Sequence, residues 1–280
     1  MNGPLLSRRE GAVLVLLNNN PVARNALSPA FSLALKQALD EAQADPQIGA
    51  IVLTGVDGMF CSGGDLRQLA QRRTLTLPER RAHLEGLHQL IRAIRDCSKP
   101  VIAAVEGAAA GAGLSMALAC DMLVTARNAV FSLAYVKVGL TPDGGATAFL
   151  AEFVSRQILT ELCLTGDRFN GERLHALGAV NRLTEPGGAL NEAVALATSV
   201  ATGPLRAMAS IKALCRSAPH ATFEAQMEDE ARYMVQAQGD DEAAEGIAAF
   251  LEKRSADFVS LRAGHSSQPS DTPADDQQTH

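Results

Sequence analysis

Hydrophobic positions fall into short runs over the first two thirds of this chain and into helical stripes over the last third. Gly11 to Leu17 (GAVLVLL), Ile48 to Thr54 (IGAIVLT) and Val101 to Val105 (VIAAV) are aliphatic runs bounded by Asn, Gly or Pro, which predicts buried strands. Between the first two, Ser28-Pro29 supplies a cap and a first-turn proline for a helix to about Ala44, with Phe31, Leu33, Leu35 and Leu39 among its apolar positions. A further helix spans about Pro78 to Arg95, and a short one from Gly171 to Leu177 precedes a last strand segment, Val180 to Leu183. From Leu190 the period is helical, over 190–202, 204–217, 221–237 and 241–254, punctuated by Pro204 and Pro219. This order predicts a layered α/β core over residues 1–200 and a helical region over 201–262. Residues 263–280, rich in Ser, Gln, Pro, Asp and Thr, are expected to be disordered.

Two turns break the pattern and draw attention to chemistry. In KPVIAAVEGAAAGAGLSMALACD (99–121), Gly107, Gly111 and Gly113 separate a buried strand from an apolar helix, Leu114 to Cys120. Such a turn aims unpaired N–H groups at one spot, where the helix dipole also favours negative charge. No Lys-Ser or Lys-Thr follows the last glycine and the spacing is not G-x-G-x-x-G, so a phosphate loop fits poorly. A small, uncharged lining suits the oxyanion of a reacting carbonyl better. Gly58 to Leu66 (GMFCSGGDL) is the second such turn, with Gly63 and Gly64 adjacent. Two donors from two turns would make an oxyanion hole; the plain alternative is that small residues let a helix pack closely on a sheet.

Composition narrows the partners. The 280 residues carry a net charge of -6 with no long basic run, which argues against nucleic acid and anionic membrane, so an anionic ligand must be met by local arginines and lysines. Five cysteines, an odd number without C-x-x-C spacing, fit reduced thiols and neither a disulfide framework nor a metal site. The first residues, MNGPLLSRRE, lack the apolar stretch of a signal peptide, and no run reaches transmembrane length. A cytoplasmic protein without membrane contact is expected.

Four segments together, NNNPVARNAL (18–27), FCSGGDL (60–66), the 99–121 stretch and GLTPDGG (139–145), resemble the crotonase, or enoyl-CoA hydratase and isomerase, superfamily in order and spacing. The likeness extends to about Phe258. It implies a spiral of repeated strand-strand-helix units, a C-terminal helical part that packs trimers or dimers of trimers, and a CoA thioester as substrate, with no separate cofactor. By the same resemblance, the N–H groups of Gly64 and Ala112 match the oxyanion-hole positions. Arg24, Ala26, Ser62 and Leu66 match positions along the CoA channel, Arg67 a basic position near its phosphates, and Phe250 and Lys253 a contact to a neighbouring subunit's CoA.

The catalytic carboxylates depart from the best-known hydratases of that superfamily, because Ser115 and Tyr135 occupy the positions of their two glutamates. Asp143, between Pro142 and Gly144, is the best remaining acid and matches an aspartate of some crotonase isomerases and of the aryl-CoA dehalogenases. Apolar walls would raise its pKa toward neutrality, as a proton-shuttling base requires; the alternative is a helix N-cap. His88 matches the dehalogenase histidine and is a second candidate, although the accompanying tryptophan is absent. Asp65 reads as a turn-stabilising acceptor. The expected activity is double-bond isomerisation, with hydration also open. Alternatives are dehalogenase-like or hydrolytic chemistry by Asp143 and His88, or a non-catalytic acyl-CoA or RNA binder. The acyl pocket is expected among loops such as 68–82.

Overall fold

The structure is a computed structural model that describes residues 3–265, with side chains as far as Arg262. Strands β1 (Leu5–Glu10) and β2 (Val13–Asn18) form a hairpin, and α1 (Pro29–Ala44) leads to β3 (Ala50–Gly55). Helices α2 (Leu66–Gln71) and α3 (Leu77–Asp96) precede β4 (Val101–Val105), β5 (Ala108–Ala110) and α4 (Ala112–Leu118). Then come β6 (Met122–Ala126), β7 (Val130–Ser132), α5 (Ala146–Ala151), α6 (Arg156–Thr165), β8 (Arg168–Asn170), α7 (Gly171–Ala176), β9 (Arg182–Thr184) and α8 (Ala189–Ala201). The chain continues through α9 (Leu205–Ser217), α10 (Phe223–Gln238), α11 (Asp241–Glu252) and α12 (Phe258–His265).

The buried runs assemble into one sheet of order β1-β2-β3-β4-β6-β9, parallel except for β1. β4 is buried along its whole length and β3 up to its closing glycine, which is why they read as continuous apolar runs: parallel strands are covered on both faces. One face packs under α1, α3 and α4 through Phe31, Leu35, Leu90, Ile94 and Leu114. The other meets α8 through an alanine stripe, Ala189, Ala193, Ala197 and Ala201, against Val15, Val52, Ile102 and Val124. That approach is close, since a Cβ on Gly49 would stand 1.8 Å from the Ala201 carbonyl oxygen.

A second sheet, β5-β7-β8, consists of three-residue strands. Isolated parallel bridges, Leu27 to Gly64 and Cys61 to Ala109, continue its pattern. The chain therefore repeats a strand of the large sheet, a strand or bridge of the small one, and a helix: β2, Leu27, α1; β3, Cys61, α2; β4, β5, α4; β6, β7, α5. This is the expected α/β spiral, carried without an internal sequence repeat.

Several expectations need correction. β1 escaped notice because LLSRRE is an edge strand whose last four residues are exposed. The glycine turn at 107–113 contains β5, since Ala108 to Ala110 pair with β7, and α4 begins at Ala112, two residues before Leu114. Leu33 points to solvent on α1; the buried face is Phe31, Leu35, Leu39 and Ala42. The 68–82 stretch is mostly helical, because Thr76 and Glu79 form a capping box that starts α3 at Leu77. Of the expected disordered tail, 263–265 end α12, and 266–280 lie outside the described residues.

The C-terminal helices join the core through few polar clasps. Lys212 on α9 pairs with Asp121 at 2.5 Å and donates to the carbonyls of Cys97 and Lys99, and Arg216 donates to the Arg95 carbonyl. Arg216 meets a carbonyl in the last turn of α3, where the helix dipole favours a cation, and Lys212 meets the C-cap carbonyl of Cys97 and the Lys99 carbonyl just beyond it. Neither α9 nor α10 buries a residue fully, and Phe223, Met234, Val235, Phe250 and Leu251 are exposed along α10 and α11.

Candidate active site

Backbone pairing builds one half of the site. The Cys61 N–H donates to the Ala108 carbonyl and the Ala110 N–H to the Cys61 carbonyl, both at 3.0 Å, while the Leu27 N–H donates to Gly63 at 2.8 Å. The 61–64 loop is thus clamped between Leu27 and β5. Gly63 has φ +93°, and a Cβ there would stand 2.6 Å from the Ala110 oxygen and 3.6 Å from the Ala112 nitrogen. A Cβ on Gly113 would meet the Cys61 oxygen at 2.5 Å. Only glycine fits where the two turns touch.

Gly111, at φ +52°, caps α4 without a side-chain bond, and its carbonyl takes the Leu114 and Ser115 N–H groups. Among the described residues no acceptor takes the N–H of Gly64 or of Ala112. The two turns expected to carry paired donors are therefore adjoining, with both donors free. The thiol beside them is no competing nucleophile: Cys61 is fully buried, and burial pushes its pKa up to about 12.

Arg24, Ala26 and Ser62 share a surface with this loop. The Ser62 N–H donates to the Arg24 carbonyl and the Ser62 hydroxyl to the Ala23 carbonyl, each at 3.1 Å. Arg24 is exposed at φ +53°, and Ala26 is buried beneath it. Leu66 and Arg67 are exposed on the first turn of α2, where Asp65 accepts the Arg67 N–H at 2.9 Å. Asp65 is a helix cap, as its position suggested. Sequence reasoning passed over Asn25, which organises the turn: its side-chain amide donates to Val56 and Met59, and its Oδ1 takes the Asn20 N–H. An asparagine just before a glycine-paired segment was the available signal, since Asn tolerates the positive φ of 55° found here.

Side chains build the other half. The Tyr135 hydroxyl donates to Asp143 Oδ1 at 2.7 Å, and the Ser115 hydroxyl donates to the Asp143 carbonyl at 3.0 Å. Gly144, at φ +60°, presses on Ser115: a Cβ there would be 3.0 Å from the serine Cβ and 3.6 Å from Ile91 of α3. The Tyr135 ring lies against Gly111, where a Cβ would stand 3.5 Å from its Cζ. Asp143 is thereby tied to the residue preceding Ala112.

The capping alternative for Asp143 does not hold. The N-cap of α5 is Gly145, with no side-chain bond, and the Asp143 carboxylate turns to Tyr135 instead. Burial raises its pKa above the usual carboxylate range, opposed by the Tyr135 hydroxyl and by the charges of His88 and Arg72. His88 on α3 is half-buried, with Nδ1 3.7 Å from Glu85, and no hydrogen bond joins it to Asp143. Phe250 and Lys253 stand apart: both are exposed at the end of α11, Lys253 at φ +57°, with no bond to the loops of the site. Among the described residues no group of three His, Cys, Asp or Glu could hold a metal ion, and no single helix is long and apolar enough to cross a membrane.

Known proteins give this geometry a context. The pattern of the family "Enoyl-CoA hydratase/isomerase" matches residues 8–261. The 1,2-epoxyphenylacetyl-CoA isomerase of Escherichia coli K12 is 33% identical over 256 residues, covering 91% of this chain and 98% of the relative. The 2,3-dehydroadipyl-CoA hydratase of the same organism is 32% identical over 255 residues, covering 91% and 98%. The crystal structure of an enoyl-CoA hydratase from Polaromonas sp. JS666 superimposes with a TM-score of 0.87 at 45% identity, over 91% of this chain and 99% of that one. On the match along nearly its whole length, this chain belongs to the enoyl-CoA hydratase/isomerase family of the crotonase superfamily.

Proposed function

We propose that this enzyme shifts a double bond in a CoA thioester by proton transfer through Asp143. The observation that carries the reading is the state of Asp143: a partly buried carboxylate, released from capping α5, tied through Tyr135 to the turn that presents the Ala112 N–H. The thioester oxygen sits between the N–H groups of Gly64 and Ala112. Asp143 takes a proton from the carbon between the thioester and the double bond, and the electron pair moves onto that oxygen as a dienolate. The protonated Asp143 then returns the proton at the far carbon and regains its charge. Ser115 and Tyr135 offer no second carboxylate to activate water, which favours isomerisation over hydration.

Arg24, Ala26, Ser62, Leu66 and Arg67 are the CoA surface in this reading, and Phe250 and Lys253 meet the CoA of a neighbouring subunit. The exposed apolar residues of α10 and α11 support a trimer or dimer of trimers. His88 supports a hydrolytic or dehalogenase-like second reading only by its electrostatic reach to Asp143.

The test is a panel of 3-enoyl- and 2-enoyl-CoA thioesters assayed in deuterium oxide with product analysis. Isomerised product is expected, with solvent deuterium at the far carbon when a 3-enoyl thioester is the substrate and next to the thioester when a 2-enoyl thioester is. Turnover to a hydrated or hydrolysed product with no double-bond isomer in either direction sinks the reading. Sedimentation should give a trimer-based mass; a folded monomer removes the shared-CoA assignment of Phe250 and Lys253.

A further inference from the structure

Tyr135 is one of only two tyrosines in the chain and is half-buried. Its phenol oxygen donates to Asp143 Oδ1 at 2.7 Å. Its ring rests against Gly111, immediately before the Ala112 donor. Among the described residues no hydrogen bond reaches Asp143 Oδ2. One carboxylate oxygen is therefore fixed by a donor that also touches the oxyanion turn, and the other is left for chemistry.

We propose that Tyr135 is the positioning residue of this site: its hydroxyl pins Oδ1 of Asp143, fixes the carboxylate against the Gly111 turn, and leaves Oδ2 as the oxygen that moves the proton. The inference rests on Asp143 being the proton shuttle and adds to it how that acid is held. The Ser115 hydroxyl and the Ala146 N–H hold the Asp143 backbone carbonyl, but neither holds its carboxylate, which can still turn about the side-chain bonds. The phenol supplies the restraint and keeps the carboxylate charged in a partly buried place. It stays a donor across the working range, because burial and the Asp143 charge push its own pKa far up.

The groups that face Asp143 are few: Tyr135, Ser115 of α4, His88 of α3 with Glu85 behind it, and Arg72 after α2. Removing the hydroxyl by Tyr135→Phe keeps the ring against Gly111. It should lower kcat about tenfold, leave KM for a 3-enoyl-CoA within about twofold, and move the acid limb of the kcat/KM profile up by about one pH unit. A merely structural tyrosine would not move the limb, and an unmoved limb overturns the proposal.

A readout in the intact enzyme guards against a misfolded variant. With 3-fluorotyrosine incorporated, the 19F resonance of Tyr135, assigned by losing the other signal in Tyr233→Phe, should shift with the ionisation of Asp143 and lose that step in Asp143→Asn. A resonance flat from pH 4 to 8, or stepping identically in Asp143→Asn, overturns the pinning. If Asp143→Asn retains most activity while the 19F step is present, the proton-shuttle reading falls and the pinning stands as structure alone, so the two failures are distinguishable.

Discussion

The donor half and the acid half of the site are held by different kinds of contact. Gly64 and Ala112 are set by backbone pairing, the Cys61 to Ala109 and Leu27 to Gly64 bridges, with Gly63 and Gly113 placed where an added Cβ would press on carbonyl oxygens. Asp143 is set by two side-chain hydroxyls, on a segment whose own backbone turns through two positive-φ glycines. The first half can be damaged by adding one methyl group at Gly63 or Gly113. The second is tuned by removing one oxygen. Catalysis that relies on preorganised donors needs the rigid arrangement, and an acid that must both take and return a proton needs the adjustable one.

The most severe way to break this contrast is Gly63→Ala. The new methyl would lie 2.6 Å from the Ala110 oxygen, in a backbone conformation of φ +93° that L residues rarely adopt. The strained backbone alone costs about 1–3 kcal/mol, and relieving the clash must move the Gly64 and Ala112 donors apart. Activity should fall by ~10^3 or more, with a lower melting temperature. A variant of unchanged activity would show that the two turns do not carry the oxyanion.

That seam was legible in the sequence, because a glycine-rich turn directly after an aliphatic run marks a place where backbone must approach backbone. Cys61, Gly63, Gly111 and Gly113 are read one residue at a time, and each tells of a local need. The acid half was only partly legible. Asp143 stood out as a carboxylate between proline and glycine, yet the same letters spell an N-cap, and only its turn toward Tyr135 separates the two. Tyr135 gave no local signal at all, since its role depends on residues 115 and 143 being brought to it by the spiral. The three-residue strands β5, β7 and β8 were hidden for the same reason: their pairing is entirely non-local.

The acid half is probed most directly by Asp143→Asn. Asparagine keeps the shape and can still accept from Tyr135, but it cannot take a proton, so turnover should fall ~10^2-fold with ligand affinity nearly intact. Stability should move the opposite way. The folded pKa of Asp143 is raised, so the folded state holds the proton more tightly than the unfolded chain does. Ionising Asp143 therefore costs stability as pH rises through the window from the ordinary carboxylate value to the raised one. At neutral pH the Asn variant should melt at or above the parent temperature, and the difference should vanish at low pH, where both side chains are neutral. The activity of the parent enzyme should likewise fail on acidification at a higher pH than an ordinary aspartate would give. A strongly destabilised Asn variant would mean that the charge is structurally required, contrary to the direction of its pKa.

The smallest expected effect belongs to Ser115→Ala, and it sharpens the comparison most. Ser115 is fully buried, and its hydroxyl donates to the Asp143 carbonyl at 3.0 Å. That carbonyl also accepts the Ala146 N–H at 3.2 Å, so losing the serine leaves no orphaned acceptor. Alanine fills nearly the same volume, so the turn should hold and turnover should drop only a few-fold, with the pH limb in place. Replacing Ser115 by glutamate, the residue at this position in the two-glutamate hydratases, should instead fail. Gly144 already lies so close that a single Cβ on it would sit 3.1 Å from the serine oxygen, so a longer buried carboxylate here would have to push the Gly144 turn away. If Ser115→Glu folded well and gained hydration of 2-enoyl-CoA, the packing of Gly144 on Ser115 would not be what separates this site from a hydratase. If it misfolds while Ser115→Ala works, the missing glutamate is a consequence of the Pro142 to Gly145 turn closing on α4, the same turn that delivers Asp143.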